Sequence, residues 1–272
     1  MTKIEWATHT ANWLSGCTKV SPACTHCYAE TMSLRLATMP HAPPRYRDGV
    51  VEGRRWTGRV SYDRDALHAA FRDLLGCRQP KRVFINSMSD TFHADAPPES
   101  LEDLADAIND WSDIVSKATA PVPGHVIMLL TKRPDRMLAW QREHFPEGLP
   151  AWVWVGTTVE DQRRADERVP VLLDVAARVR FLSVEPLLGR VCLPYSAFNG
   201  ADSFGSMEGI GWVIVGCESG PRRRETSAEW VRAIRDDCAR VGVPFFLKQL
   251  YVDGRKVGLP ELDGKVWAEV PR

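Results

Sequence analysis

Short apolar runs, each closed by a polar turn and followed by a helical pattern, recur along the chain. Arg82-Val83-Phe84-Ile85-Asn86 reads as a buried strand, and after Pro97-Pro98 an acidic amphipathic helix is predicted over 99–116. The run at 125–130 predicts a second strand, ending in Thr131-Lys132-Arg133-Pro134 and leading into a helix over 135–144. A third strand is predicted at 152–156 with a helix over 162–175, and a fourth at 179–183. The fifth, 212–216, precedes a helix over 228–241, and the sixth lies at 244–248. Strands that are apolar on both faces and alternate with helices indicate a parallel sheet. The expectation is α/β: a full or partial parallel (β/α) barrel, TIM-barrel-like, as a single domain over 1–272 with an earlier strand before residue 17. A doubly wound open sheet is the second architecture this periodicity allows. Two stretches break the rhythm, one near 37–60 rich in Pro, Gly and Arg, the other at 194–211 rich in Gly and Ser. Both are expected to be loop insertions rather than domain boundaries.

Composition narrows the function classes. Of 272 residues, 44% are hydrophobic and 26% charged, values of an ordinary globular chain that exclude wholesale disorder. Lys+Arg and Asp+Glu both number 35, which argues against a globally basic nucleic-acid surface and leaves room for a local patch. No apolar run is long enough to predict a membrane span. The polar start of the chain lacks an apolar signal core, so a cytoplasmic location is expected. Seven cysteines, odd in number and unevenly spread, favour metal ligation over disulfides in a reducing compartment.

The sharpest local signal is Cys17-Thr-Lys-Val-Ser-Pro-Ala-Cys24-Thr-His-Cys27-Tyr28, with Gly16 and Pro22 turning the chain. Thiolates select soft metals, zinc or iron in a sulfide cluster. A structural zinc site takes four protein ligands. No fourth Cys lies nearby, although His26 or His9 could serve. Three thiolates on a [4Fe–4S] cluster leave one iron open for a cofactor or substrate. A structural zinc loop and three unconnected thiols are the competing interpretations.

Together with further stretches, this segment resembles a family of phage and prophage proteins of unassigned function described by a three-cysteine motif. The matching residues are Lys3-Ile4-Glu5-Trp6, 16–22, 24–30, Asn86-Ser87-Met88-Ser89-Asp90, 130–134, 181–189, 213–220 and 244–249. That family in turn looks like a branch of the radical S-adenosylmethionine (SAM) superfamily, near the spore photoproduct lyase-like members. The resemblance implies that Cys17, Cys24 and Cys27 hold a [4Fe–4S] cluster whose open iron SAM chelates. It implies that the residue before the last cysteine, here His26, touches the adenine. The usual spacing is C-x3-C-x2-C, and here it is C-x6-C-x2-C. The Gly-Gly-Glu motif that binds the SAM amino group is replaced by Asn86-Ser87-Met88-Ser89-Asp90, where Asp90 is the expected substitute.

In a parallel barrel the chemistry gathers at the C-terminal ends of the strands. Here those ends carry Ser87, Asp90 and His93; Thr131, Lys132 and Arg133; Thr157, Thr158 and Glu160; Ser183 and Glu185; Glu218 and Ser219; Lys248 and Gln249. Helix capping competes for any one of these polar groups. For the cofactor the expected contacts are His26, Tyr28, Ser87, Asp90, Lys132 and Glu160. Carboxylates suit the SAM amino group and ribose, and a cation suits its carboxylate. Glu185 and Glu218 are the expected catalytic pair, because carboxylates directly after buried strands are costly to bury without a partner. Cys217 is either a hydrogen-atom donor or a small buried side chain. Cys77, Cys192 and Cys238 read as packed or incidental.

Arg45, Arg47, Arg54, Arg55 and Trp56, with Arg59, crowd one loop; Arg222-Arg223-Arg224 and Lys248 lie elsewhere. These are the expected nucleic-acid or substrate contacts, since Arg pairs with phosphate and aromatics stack on bases. A solvated, ion-paired surface is the competing interpretation. Trp152, Trp154 and Trp212 read as core, whereas Trp6, Trp13 and Trp56 are expected to be freer to line a site. The resemblance then implies an enzyme in which the reduced cluster cleaves SAM to methionine and a 5′-deoxyadenosyl radical, which abstracts a hydrogen atom from a substrate. The expected partners are a nucleobase, nucleotide or DNA substrate and an external electron donor, with no membrane, for a phage-encoded protein acting in a host cell. A zinc-stabilised nucleic-acid-binding protein and a SAM-independent iron–sulfur lyase are the alternatives.

Overall fold

The buried apolar runs form strands, and they run parallel. The computed structural model describes residues 4–118, 124–198, 209–220 and 222–272. These fall into two compact units. The first is built from Ala7–Val20 and Cys27–Leu129, the second mainly from Ser21–His26 and Leu130–Arg272, with residues 4–6. The stretch expected as a loop at 194–211 contains a short 3-10 turn, Tyr195–Phe198, and otherwise lies largely outside the described residues.

In chain order the first unit carries β1 (His9–Ala11), β2 (Leu14–Ser15), α1 (Tyr28–Ala37), β3 (Val51–Glu52), β4 (Arg55–Trp56), β5 (Ser61–Tyr62), α2 (Arg64–Leu75), β6 (Arg82–Ile85), α3 (Pro98–Lys117) and the first four residues of β7 (Val126–Thr131). β1, β6 and β7 are parallel, with His9 opposite Val83 and Arg82 opposite Val126. β1 is the earlier strand that the sequence pattern called for. β2 pairs antiparallel with β5, and β3 with β4, so the stretch near 37–60 contains a small hairpin. Helix α2 starts where the Asp63 side chain accepts a hydrogen bond from Ala66 N, and it buries Leu67, Phe71 and Leu74. It is tied to α3 by Asp103, which accepts two hydrogen bonds from Arg64 (2.7 Å each) and one from Tyr62 Oη (2.6 Å).

The second unit carries α4 (Pro134–His144), β8 (Val153–Thr158), α5 (Gln162–Leu173), β9 (Arg180–Val184), β10 (Ile210–Gly216), α6 (Ala228–Val241), β11 (Phe245–Val252), β12 (Arg255–Gly258), β13 (Glu261–Leu262) and β14 (Lys265–Val266). Strands β8 to β11 pair in chain order and in parallel, and β12 adds antiparallel to β11. The chain is therefore mixed α/β with mostly parallel strands. The core of this unit is aromatic. The Trp212 ring lies 6.2 Å from Trp6, 6.0 Å from Trp154, 5.9 Å from Phe181 and 6.0 Å from Phe246. Trp6 and Trp13 are thus not free to line a site: they are 2% and 0% exposed, because their large apolar area is worth more inside the core. Among the described residues no helix is long and apolar enough to cross a membrane.

Candidate functional site

In the second unit, the segment that bears Cys24 is fastened to residues just beyond two strand ends. Pro22–Cys24 forms one 3-10 turn. Glu160 stands two residues past the end of β8 and is 0% exposed. Its Oε1 accepts from Ala23 N at 3.4 Å, and its Oε2 accepts from Arg168 Nη1 at 3.0 Å. Arg168, on α5, also donates to the Thr158 carbonyl at 2.7 Å, so one guanidinium neutralises the buried carboxylate and caps the strand end. Glu218 stands two residues past β10. Its Oε2 accepts from Arg224 N (2.8 Å) and Arg224 Nε (3.0 Å), Arg224 Nη2 closes on its Oε1, and His26 Nδ1 lies 3.1 Å from its Oε2. Arg224 Nη2 also donates to the Pro22 carbonyl at 2.9 Å. Burial pushes the Glu218 carboxyl up, but the hydrogen bonds and charge of Arg224, with His26, outweigh it and hold it at about 2. Glu218 is therefore an ionised acceptor, and the proton shared with His26 sits on Nδ1.

A second cluster joins the ends of β9 and β10 to the middle of β11: this strand runs on to Val252, so Lys248 and Gln249 lie within it and not at the strand end the sequence pattern predicted. Lys248 Nζ is ion-paired with Glu185. Gln249 Nε2 donates to the Cys217 carbonyl (2.8 Å) and to Ser219 Oγ (3.0 Å), and its Oε1 accepts from Lys256 Nζ at 3.3 Å. Cys217 is buried, and desolvation, aided by the Glu185 charge, pushes its thiol up to about 11. It is a neutral S–H at physiological pH.

In the first unit, Gly16 sets up Cys17. Its φ is +96°, and a Cβ there would lie 2.0 Å from the Arg59 carbonyl oxygen, so only glycine fits. Ser89 Oγ donates to the Gly16 carbonyl at 2.5 Å. His93 is 0% exposed; its Nδ1 accepts from Asp95 N at 3.0 Å, so Nε2–H donates to Thr18 Oγ1 at 2.8 Å. Lys19 pairs with Glu30 at 2.8 Å, and Glu30 accepts from Trp56 N at 2.8 Å. Cys27 is the N-cap residue of α1, the end of a helix at which negative charge is stabilised. Tyr28 Oη donates to the Ser87 carbonyl at 2.5 Å, and Ser87 Oγ donates to Asn12 Oδ1 at 3.0 Å. Asp90 is buried and accepts from Phe92 N at 3.0 Å, which is a turn-forming role. Lys132 is half-buried one residue past β7, in the second unit.

The basic loop is largely committed internally. Arg45 pairs with Asp63 at 2.5 Å, and Arg47 donates to the Met39 and Pro40 carbonyls at 2.6 and 2.5 Å. Trp56 packs with Cys27 and Leu36 against Ala29, Tyr46 and Met88. Arg54 and Arg55 are exposed. Sequence reasoning did not assign Arg168 or Arg224 to their carboxylates. It grouped Arg224 with a surface patch, because the signal, a basic residue one loop or helix turn away, is the same for both roles.

As donors, the three cysteines suit a soft metal: all are thiols outside any disulfide, and all are partly accessible. Among the described residues, no group of three or more His, Cys, Asp or Glu side chains is gathered into a formed cage. The donor chemistry fits a cluster, and loading one requires the thiols to be drawn together. Cys77 is partly accessible and Cys192 exposed; Cys238 is buried, its thiol pushed up to about 12 by desolvation. The chain belongs to a family described as protein of unknown function, DUF5131, whose model matches residues 1–271. No curated protein and no solved structure matches it.

Proposed function

We propose that this DUF5131 protein is a radical SAM enzyme on a (β/α) barrel-like scaffold. Cys17, Cys24 and Cys27 would ligate a [4Fe–4S] cluster, and the substrate would be a nucleobase, free or in a nucleic acid. The observation that carries this reading is the fastening of the Cys24 segment to Glu160 and Glu218, directly beyond the C-terminal ends of parallel strands. That rim is where parallel α/β folds assemble their active sites. Buried ion pairs hold the Cys24 segment at that rim, so that drawing Cys17 and Cys27 in would complete a three-thiolate site there. When bound, the cluster supplies the electron that splits SAM, a step side chains cannot supply.

The chain's own residues do the positioning. Arg224 and Glu218 fix the His26 ring through Nδ1, leaving its Nε2 edge available to an adenine. Of the expected SAM contacts, Lys132 shares the second unit with His26 and Glu160 and is the cation suited to the SAM carboxylate, whereas Ser87 and Asp90 lie in the first unit, bonded to Asn12 and Phe92 N. Glu185 and Lys248 form a half-buried zwitterionic pair that can reorganise around a polar substrate. Cys217 retains its hydrogen at neutral pH, as a hydrogen-atom donor must. Glu218, ionised and held by two partners, acts as a positioning residue and not as a general acid.

The test is anaerobic reconstitution with iron and sulfide, reduction, addition of SAM, and an assay for 5′-deoxyadenosine, with Cys24→Ala alongside. Formation with the wild type only supports the reading. Tightly bound zinc without deoxyadenosine would replace it with a zinc-stabilised binding protein. A stable cluster without deoxyadenosine would replace it with a SAM-independent iron–sulfur lyase.

A further inference from the structure

The Arg223 guanidinium lies 3.7 Å above the centroid of the Tyr251 ring, near the end of β11. Tyr251 is half-buried and Arg223 exposed, so the stack stands at the surface. The register of the β11–β12 pair places Lys256 directly opposite Tyr251, on the same face of the sheet, with Lys256 Nζ reaching back to Gln249 Oε1. Arg222, next to Arg223 in the chain, is exposed; Arg255 is exposed too but, adjacent to Lys256 in β12 and opposite Val252, faces the other side of the sheet. The nearby acidic side chains are Glu225 and Asp253, both exposed, and the half-buried Glu5, whose carboxylate lies against Gly258 of β12; Arg224 is neutralised by Glu218. Arg222, Arg223 and Lys256 thus set cations beside a planar, polarisable platform.

We infer that the Arg223–Tyr251 stack with Lys256 binds single-stranded nucleic acid, one base stacking on the platform while Lys256 and Arg222 meet the phosphates. Stacking needs an unpaired base, which selects a single strand over a duplex. β11 also carries Lys248 and Gln249, so a strand held on Tyr251 lies a few residues along the same β-strand from the Glu185 cluster. This deepens the nucleobase part of the function proposed above and rests on it.

The measurement is fluorescence anisotropy of a labelled oligothymidine on the full chain, without cluster or SAM. Binding and deoxyadenosine formation are thereby separate results, and either can fail alone. Saturable binding is expected, weakened about tenfold by Tyr251→Leu and by Arg223→Ala. Lys256→Ala should lower the salt slope by about one. Arg223 is exposed, so its replacement leaves the fold intact and covers the case in which Tyr251→Leu misfolds. An oligouridine arm separates RNA from DNA, and a duplex of the same length should bind less tightly. The inference is overturned if the wild type shows no saturable binding at low salt, if both platform variants bind like the wild type, or if heparin displaces the strand as readily from the Arg223→Ala protein as from the wild type.

Discussion

At the scale of single residues, the site is organised by carboxylates that the fold keeps charged. Glu218 is held at about 2, against an ordinary value of 4.5. Its folded value lies below its unfolded one, so its ionised form stabilises the fold fully above about pH 5, and that contribution disappears as the pH falls from 4.5 toward 2. The shift corresponds to roughly 3 kcal/mol at most, and solvent access near the loop brings it to about 1–2 kcal/mol. Urea denaturation of the wild type and Glu218→Gln should therefore differ by that amount at pH 7 and converge near pH 2. A difference that stays constant across that range would show that the carboxylate charge is not what holds the loop. Arg168→Met leaves Glu160 buried without its cation and should cost about 3–5 kcal/mol, of which Glu160→Gln in the same chain recovers part. Both carboxylates were legible in the sequence as polar residues immediately after apolar runs. Their guanidinium partners were not, because pairing is decided by how a loop and a helix return to the strand end.

At the scale of elements, periodicity carried the strands and the longer helices to within a few residues, since burial on both faces leaves an unmistakable apolar run. It missed α1, whose N-cap is Cys27 with no side-chain capping bond, and α2, whose Asp63 cap was present but unread. It also missed the C-terminal antiparallel hairpins. Their turns are Asp253-Gly254 and Asp263-Gly264, with φ of 49°, 74°, 55° and 76°, the paired left-handed geometry that Asp-Gly supplies for two-residue hairpins. The turn before Cys17 is more constrained than any of these. Gly16→Ala would drive a Cβ into the Arg59 carbonyl while keeping a positive φ, and should cost more than about 2 kcal/mol. Calorimetry should then show a melting temperature lowered by at least about 5 °C. An unchanged melting temperature would mean that the loop bearing Cys17 is not anchored through this contact.

At the scale of the whole molecule, the cysteines sort themselves by environment, and the sorting can be counted. Of the seven, Cys217 and Cys238 are buried, with thiols pushed up to about 11 and about 12, so they are neither accessible nor ionised at pH 7. Cys17, Cys24, Cys27 and Cys77 are partly accessible, and Cys192 is exposed. An aromatic disulfide reagent added to the native metal-free chain should therefore titrate five thiols quickly, with the remaining two appearing only in denaturant. Composition alone predicted metal ligation over disulfides but not which thiols would remain available. That depends on Cys217 following β10 directly, inside the Gln249 network, and on Cys238 lying on the buried face of α6. Reconstitution with iron and sulfide should reduce the fast class by three, and in Cys24→Ala, which starts with four, the protection should be lost. Protection of any other number, or protection that persists without Cys24, would assign the metal to different ligands. The count needs no SAM and no substrate, so it tests the three-cysteine site independently of the reaction proposed for it.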